Sequence, residues 1–280
     1  MKKTILAGLG ALAMACGGGE GAPIIEYGSP QPSTLDEQAA AEGAQTTLAG
    51  TAAFQATTEP AYGAPGLADQ LTAQLGAYTG MAAAPADPLR TPASRTLVRS
   101  SGTALTVGMD PACVVQDQTS VTWNDCTISD TDPVTGDTMT IVLDGWLTWD
   151  PGTGVTSWDV VETMDASMTV DVDTLTMHAT VHPTGSITVD AVNSTIAGHA
   201  QSLVSETASY QGRTASAGLR TTLDLDLGYA VDPFCITSGT LELEQIWTRR
   251  PPGYTEAALP NQGWRFEWTG CDAFTVAHGR

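Results

Sequence analysis

From about Thr96 to the C-terminus, apolar and polar residues alternate with a period of two. Thr222-Leu223-Asp224-Leu225-Asp226-Leu227 is the clearest run. Ile141, Leu143, Leu147 and Trp149 form another apolar row, and the stretches 155–164, 186–191 and 240–248 behave alike. This spacing predicts strands with one face buried and the other wet. Leu241, Leu243 and Trp247 share a face by the same count, and so do Trp264, Phe266 and Trp268. Asp132-Pro133 to Asp137, Asp150-Pro151-Gly152, Pro183-Thr184-Gly185 and Arg250 to Gly253 punctuate the runs as turns. Many strands joined by short turns predict an antiparallel meander.

The N-terminal part reads differently. Ser33 or Thr34 can cap a helix, Asp36 and Glu37 fall in its first turn, and Ala-rich sequence follows to about Thr57. Leu67, Leu71, Leu75 and Tyr78 are spaced for one face of a second short helix. Ala82 to Pro92 read as linker. The predicted fold is mostly β. It is one large curved antiparallel sheet or open barrel, a meander covered by two short N-terminal helices, with a β-sandwich as the alternative. One domain spans 33–280, with the helical cover and linker in 33–92 and the sheet in 96–280.

The first twenty residues carry an address. Lys2 and Lys3 precede an apolar run from Ile5 to Ala15, too short to span a bilayer as a permanent helix and laid out as a secretory signal. The run ends Ala13-Met14-Ala15-Cys16, followed by three glycines, with Leu12 one position before the usual leucine. This junction resembles the lipobox of bacterial lipoproteins. The resemblance implies cleavage after residue 15 and acylation of Cys16. With Gly17 rather than Asp next, it implies an address at a Gram-negative outer membrane. Several acyl chains hold a protein stably at about 0.8 kcal/mol per buried CH₂. Residues 16–32, rich in Gly, Pro and Ser, read as a flexible tether.

Charge narrows the partners. The 280 residues hold 31 acids against 11 Lys plus Arg, a net −20. Such a chain lacks the basic patch that nucleic acid requires. Both lysines lie in the signal, so the processed chain has neither a lysine Schiff base nor a Ser-Lys dyad to offer. Its acidity repels anionic headgroups and leaves anchoring to the lipid. The expected partners are the membrane through that anchor and either an apolar ligand or another envelope protein.

Setting Cys16 aside leaves Cys113, Cys126, Cys235 and Cys271, an even count that reads as disulfides in an exported chain. Of the three pairings, Cys113–Cys126 and Cys235–Cys271 are favoured because each brackets a hairpin. Direct pairing of Cys235 with Cys271 sets the two C-terminal apolar rows on opposite faces unless a bulge intervenes, and Gly239 and Gly270 are the places for one.

Candidate chemistry is thin. His178 and His182 lie in a strand pattern, about 13 Å apart along the chain and too far for one zinc. Asp130, Asp132 and Asp137 surround a turn and are calcium candidates, although they fail most of the EF-hand pattern. Asp171 with Asp173, and Asp224 with Asp226, form paired carboxylates on strand faces that suit solvent better than a glycoside-cleaving cleft. No G-x-S-x-G elbow, H-E-x-x-H, P-loop or dinucleotide fingerprint occurs. All seven tryptophans lie in the β region, and Trp247, Trp264, Phe266 and Trp268 are the candidates for a ligand face. The expectation is a non-catalytic, cofactor-free envelope protein with a structural or surface-interaction role. A carrier of an apolar ligand is the alternative, and an enzyme comes third.

Overall fold

The computed structural model describes residues 25–55, 111–170, 172–271 and 273–280. The lipobox with Cys16, the second helical segment at Leu67–Tyr78, the linker and Asp171 lie outside the described residues. In chain order the elements are β1 (Gln31–Pro32), α1 (Leu35–Gln55), a 3₁₀ turn (Pro111–Cys113), β2 (Val114–Gln116), β3 (Ser120–Thr131) and β4 (Thr138–Asp150). Then come β5 (Val155–Val170), β6 (Asp173–Asp190), β7 (Thr195–Tyr210), β8 (Arg213–Val231), β9 (Phe234–Arg249), β10 (Gln262–Gly270) and β11 (Ala273–Gly279).

The strands form one 11-stranded antiparallel sheet in which β2 to β11 follow one another in sequence order. β1 joins outside β11, so the sheet has two edges, β1 and β2. It is neither a closed barrel nor a sandwich. The long strands are unusual: β8 has 19 residues, a span of about 60 Å at 3.3 Å per residue. Short turns make this meander possible. Gln211 and Gly212, with φ of 51° and 71°, form the two-residue turn between β7 and β8, the conformation that continues the strand twist. In the longer turns Asp150 Oδ1 accepts the Gly152 N–H at 2.8 Å, and Asp190 Oδ1 accepts those of Val192 and Asn193 at 2.9 and 3.0 Å.

The expected tether ends earlier than residue 32. Tyr27 bridges to Gly279, Glu26 and Arg280 exchange backbone hydrogen bonds, and Gln31 and Pro32 pair with Val276 and Thr275. Residues 25–32 run along β11 because its outer N–H and C=O groups need partners, and a short strand carrying proline blunts the edge.

Helix α1 matches the predicted N-terminal helix. Thr34 Oγ1 accepts the Glu37 N–H at 3.3 Å while Glu37 Oε2 accepts the Thr34 N–H at 2.7 Å, a reciprocal capping box. Ala40, Ala41, Ala44 and Leu48 form its buried stripe and join the main core. The small residues let the helix lie close against the sheet. Gln45 Oε1 accepts the Ile236 N–H at 3.2 Å, and α1 packs on β9 and β6. The sheet face under α1 supplies Leu147, Trp158, Ile187, Ile196, Leu223, Leu241, Leu243 and Phe266. Gly185 makes room there: a Cβ at this position would stand 2.7 Å from Cζ2 of Trp158.

Candidate functional site

Register decides which predicted residues meet. Phe266 pairs with Leu241, Trp264 with Leu243 and Trp268 with Gly239, so the two C-terminal apolar rows share the inner face. The β8–β9 register shifts at Gly228/Tyr229, just before Gly239 with φ of 100°, and the β10–β11 register shifts between Trp268 and Gly270. These irregularities reconcile the rows with the Cys235–Cys271 pairing. Both favoured disulfides are present, with Cα–Cα separations of 5.2 Å for Cys113–Cys126 and 5.4 Å for Cys235–Cys271.

Of the four aromatic ligand-face candidates, Trp264, Phe266 and Trp268 are core residues. Phe266 and Trp268 are 1% and 3% exposed, and their rings lie 5.8 Å apart, with Phe274 at 6.0 and 5.5 Å. Trp264 is buried beside them, and Trp247 is half-buried opposite Leu219. Among the described residues, Trp149 Nε1, Thr156 Oγ1, Trp158 Nε1, Ser202 Oγ and Gln245 Nε2 are polar atoms buried on this inner face without a hydrogen-bond partner. Ser202 pairs with Thr221 and Thr221 with Gln245, so part of this polarity is one row crossing β7, β8 and β9.

The outer face is polar and tied across strands. His178 Nδ1 lies 2.8 Å from Asp165 Oδ1, His182 Nε2 is 2.8 Å from Asp159 Oδ1, and His199 Nδ1 is 2.7 Å from Asp224 Oδ1. His178 and His182 share a face but serve separate aspartates. At the β9–β10 end, Arg265 Nε donates to Glu242 at 2.7 Å and its guanidinium carbon lies 4.2 Å from the centre of the Tyr27 ring. Tyr27 donates to Glu244 at 3.3 Å. Burial, then the charges of Glu244 and Glu242, raise the Tyr27 hydroxyl well above the usual phenol range.

One row brings together residues that the sequence did not connect. Ser186 pairs with His199 and His199 with Asp224, in the order nucleophile, base, orienting acid. The arrangement does not make a triad. Ser157 donates to Ser186 Oγ at 3.0 Å, and no side-chain hydrogen bond joins Ser186 to His199 among the described contacts. β7 is paired along its length to β6 and β8, so the ladder consumes the backbone N–H groups that an oxyanion hole would need. Spacing could not reveal this row, because its members come from three strands.

The turn carboxylates are similarly engaged. Asp132 Oδ1 accepts the Val134 and Thr135 N–H groups at 2.7 and 3.3 Å, and Asp137 Oδ1 accepts that of Thr169 at 2.7 Å. Asp130 Oδ1 accepts the Thr131 N–H at 2.9 Å. These bonds explain the aspartates as turn builders. Among the described residues no group of three or more His, Cys, Asp or Glu side chains is placed to hold a metal ion. Asp173 accepts from Gln211 at 2.5 Å. No described helix is long and apolar enough to cross a membrane. No protein-family model, curated protein or solved structure matches the chain.

Proposed function

We propose that this chain is a non-catalytic, lipid-anchored protein of the bacterial envelope, held at the outer membrane through Cys16, whose long sheet is a rigid scaffold presenting its polar outer face to envelope partners. The observation that carries the reading is the fate of the aromatic residues. Trp264, Phe266 and Trp268 are absorbed into packing under α1, which suits a scaffold better than an open binding cleft. Two disulfides suit an oxidising compartment.

The carrier reading keeps one supporting observation. Orphaned donors such as Trp158 Nε1 and Gln245 Nε2 are what a ligand with an apolar body and one polar group would meet. Fractionation tests the anchoring: wild-type protein sediments with outer membranes and incorporates labelled palmitate, while Cys16→Ser does neither. Equal membrane retention of both forms contradicts the anchor.

A further inference from the structure

The two edges of the sheet end differently. At β11 the chain's own residues 25–32 take up the outer backbone groups. At the other end β2 pairs only with residues 121–123 of β3, although β3 runs on to Thr131. A bulge separates the covered stretch from the rest: the β3–β4 register shifts between Trp123 and Cys126, and Asp125 has φ of 50°. The Cys113–Cys126 disulfide closes the covered part. Beyond it the ladder decides which backbone groups point outward. Asp132 donates its N–H to the Asp137 carbonyl at 2.8 Å, and antiparallel pairs alternate between bonded and unbonded. Asp130 and Ile128 therefore turn their N–H and C=O to β4, while Thr127, Ser129 and Thr131 turn theirs away from the sheet. The Thr131 N–H is met by its neighbour's side chain, Asp130 Oδ1, at 2.9 Å. Thr127 and Ser129 have no backbone partner on this side among the described residues, and all three are exposed. The open stretch, 127–131, carries neither proline nor lysine, the usual guards of an edge.

We propose that this edge of β3 receives an extended, cationic segment of a partner protein, which adds to the sheet as a further antiparallel strand. In such additions main-chain bonds give affinity and alternate side chains give selectivity. Charge chooses the occupant. Residues 111–170, which hold β2 to β5, contain ten acids and no Lys, Arg or His, and the first described arginine is Arg213 on β8. A second copy paired through this edge would bring two such halves together, and like charges repel across a ladder. A basic strand meets the complementary field. Register sets its pattern. Ile128 is half-buried opposite Ile141, and Asp130 follows on the same face, opposite Met139. In the partner strand the residue facing Asp130 is Lys or Arg, and the residue facing Ile128, two positions later, is apolar. Those facing Thr127, Ser129 and Thr131 lie on the polar outer face. The inference rests on the scaffold reading and gives the scaffold a partner class; it does not depend on Cys16.

Amide hydrogen exchange on the full chain tests the edge first. Thr127 and Ser129 exchange on the order of a hundredfold faster than Ile128 and Asp130. Protection of Thr127 and Ser129 in the free chain would mean that another part of the chain or a second copy already fills the edge, and overturns the proposal. The binding probe is a cyclised β-hairpin peptide whose free-edged strand reads Lys-Thr-Lys-Thr-Val-Thr. It slows exchange at Thr127 and Ser129, and glutamates in place of its lysines weaken binding about tenfold or more. Ser129→Pro removes an outward N–H and leaves the bonds to β4 intact, as edge-strand prolines do, and weakens binding by about tenfold or more. N-methylation of the peptide's threonines has the same effect and keeps the test if that variant does not fold. Equal binding by wild type and Ser129→Pro, or by methylated and unmethylated peptides, would reduce the effect to adhesion on an acidic surface and overturn the proposal. Cys16→Ser binds the probe as wild type does, so loss of the anchor and loss of the edge are read separately.

Discussion

His278 Nε2 and Glu37 Oε1, 241 positions apart in the chain, share a hydrogen bond that fastens the start of α1 to β11, the last strand of the meander. The other oxygen of the same carboxylate accepts the Thr34 N–H. Glu37 thus caps the helix and fixes where the helix lands. Burial pushes its carboxyl up, but the Thr34 N–H, His278 and the Thr34 hydroxyl outweigh this and hold it below the usual range. Glu37→Ala removes the acceptor of the Thr34 N–H and of His278 Nε2 and costs about 0.5–1.5 kcal/mol per bond. In a urea-melt double-mutant cycle with His278→Ala, the pair shows a coupling of about 0.5–3 kcal/mol. Strict additivity would mean that the contact contributes nothing.

The aspartates of the turns predict an acid-labile fold. Asp150 is held below its ordinary value by the Thr153 hydroxyl and the Gly152 N–H, and Asp190 by the backbone and side chain of Asn193. Asp117 and Asp132 are lowered chiefly by the N–H groups of Thr119 and Val134. A depressed carboxyl stabilises the fold fully above its unfolded value, near 3.8, and that contribution is lost as pH falls through the folded value. The melting temperature therefore declines below about pH 4. Asp150→Asn narrows the decline measured between pH 5 and 3, because the group no longer titrates. An unchanged decline in that variant would remove Asp150 from the explanation.

Gly185 is predicted to be intolerant of any side chain. Its missing Cβ would lie 2.7 Å from both the His199 carbonyl and the Trp158 ring, and 2.9 Å from the Ala200 Cα. Backbone on the neighbouring strand cannot yield as a side chain does. Gly185→Ala lowers stability by about 1–3 kcal/mol, read by denaturant titration. Wild-type stability would show that the Trp158 contact is loose.

The disulfides close loops of different length, with sequence separations of 13 and 36. Chain entropy gives about 3 kcal/mol for the first and about 4 for the second. Replacing each pair by serine should lower stability in that order under non-reducing conditions. Equal melting of both variants and wild type would mean that neither bond constrains the unfolded chain.

Much of this architecture was legible along the chain. Alternation in 222–227 marked β8, and the Asp-Pro-Gly cluster at 150–152 marked the turn into β5. Ser33 or Thr34, with Asp36 and Glu37 in the next turn, announced the cap because capping is local, and each cysteine pair was marked by the hairpin it brackets. What stayed hidden depends on register. The open stretch of β3 shows only once the short β2 and the bulge before Cys126 are aligned with it. The Ser186–His199–Asp224 row arises in the same way. Residues 25–32 read as tether because they lack periodicity, yet an open strand edge at β11 recruits them through backbone groups that any sequence carries.

Native mass spectrometry of the protein extracted from outer membranes tests the central claim most directly. The account predicts a chain beginning at Cys16 that carries acyl chains, lacks the hydrogens of four thiols and brings no further small molecule. A chain still beginning at Met1, without lipid, would contradict it.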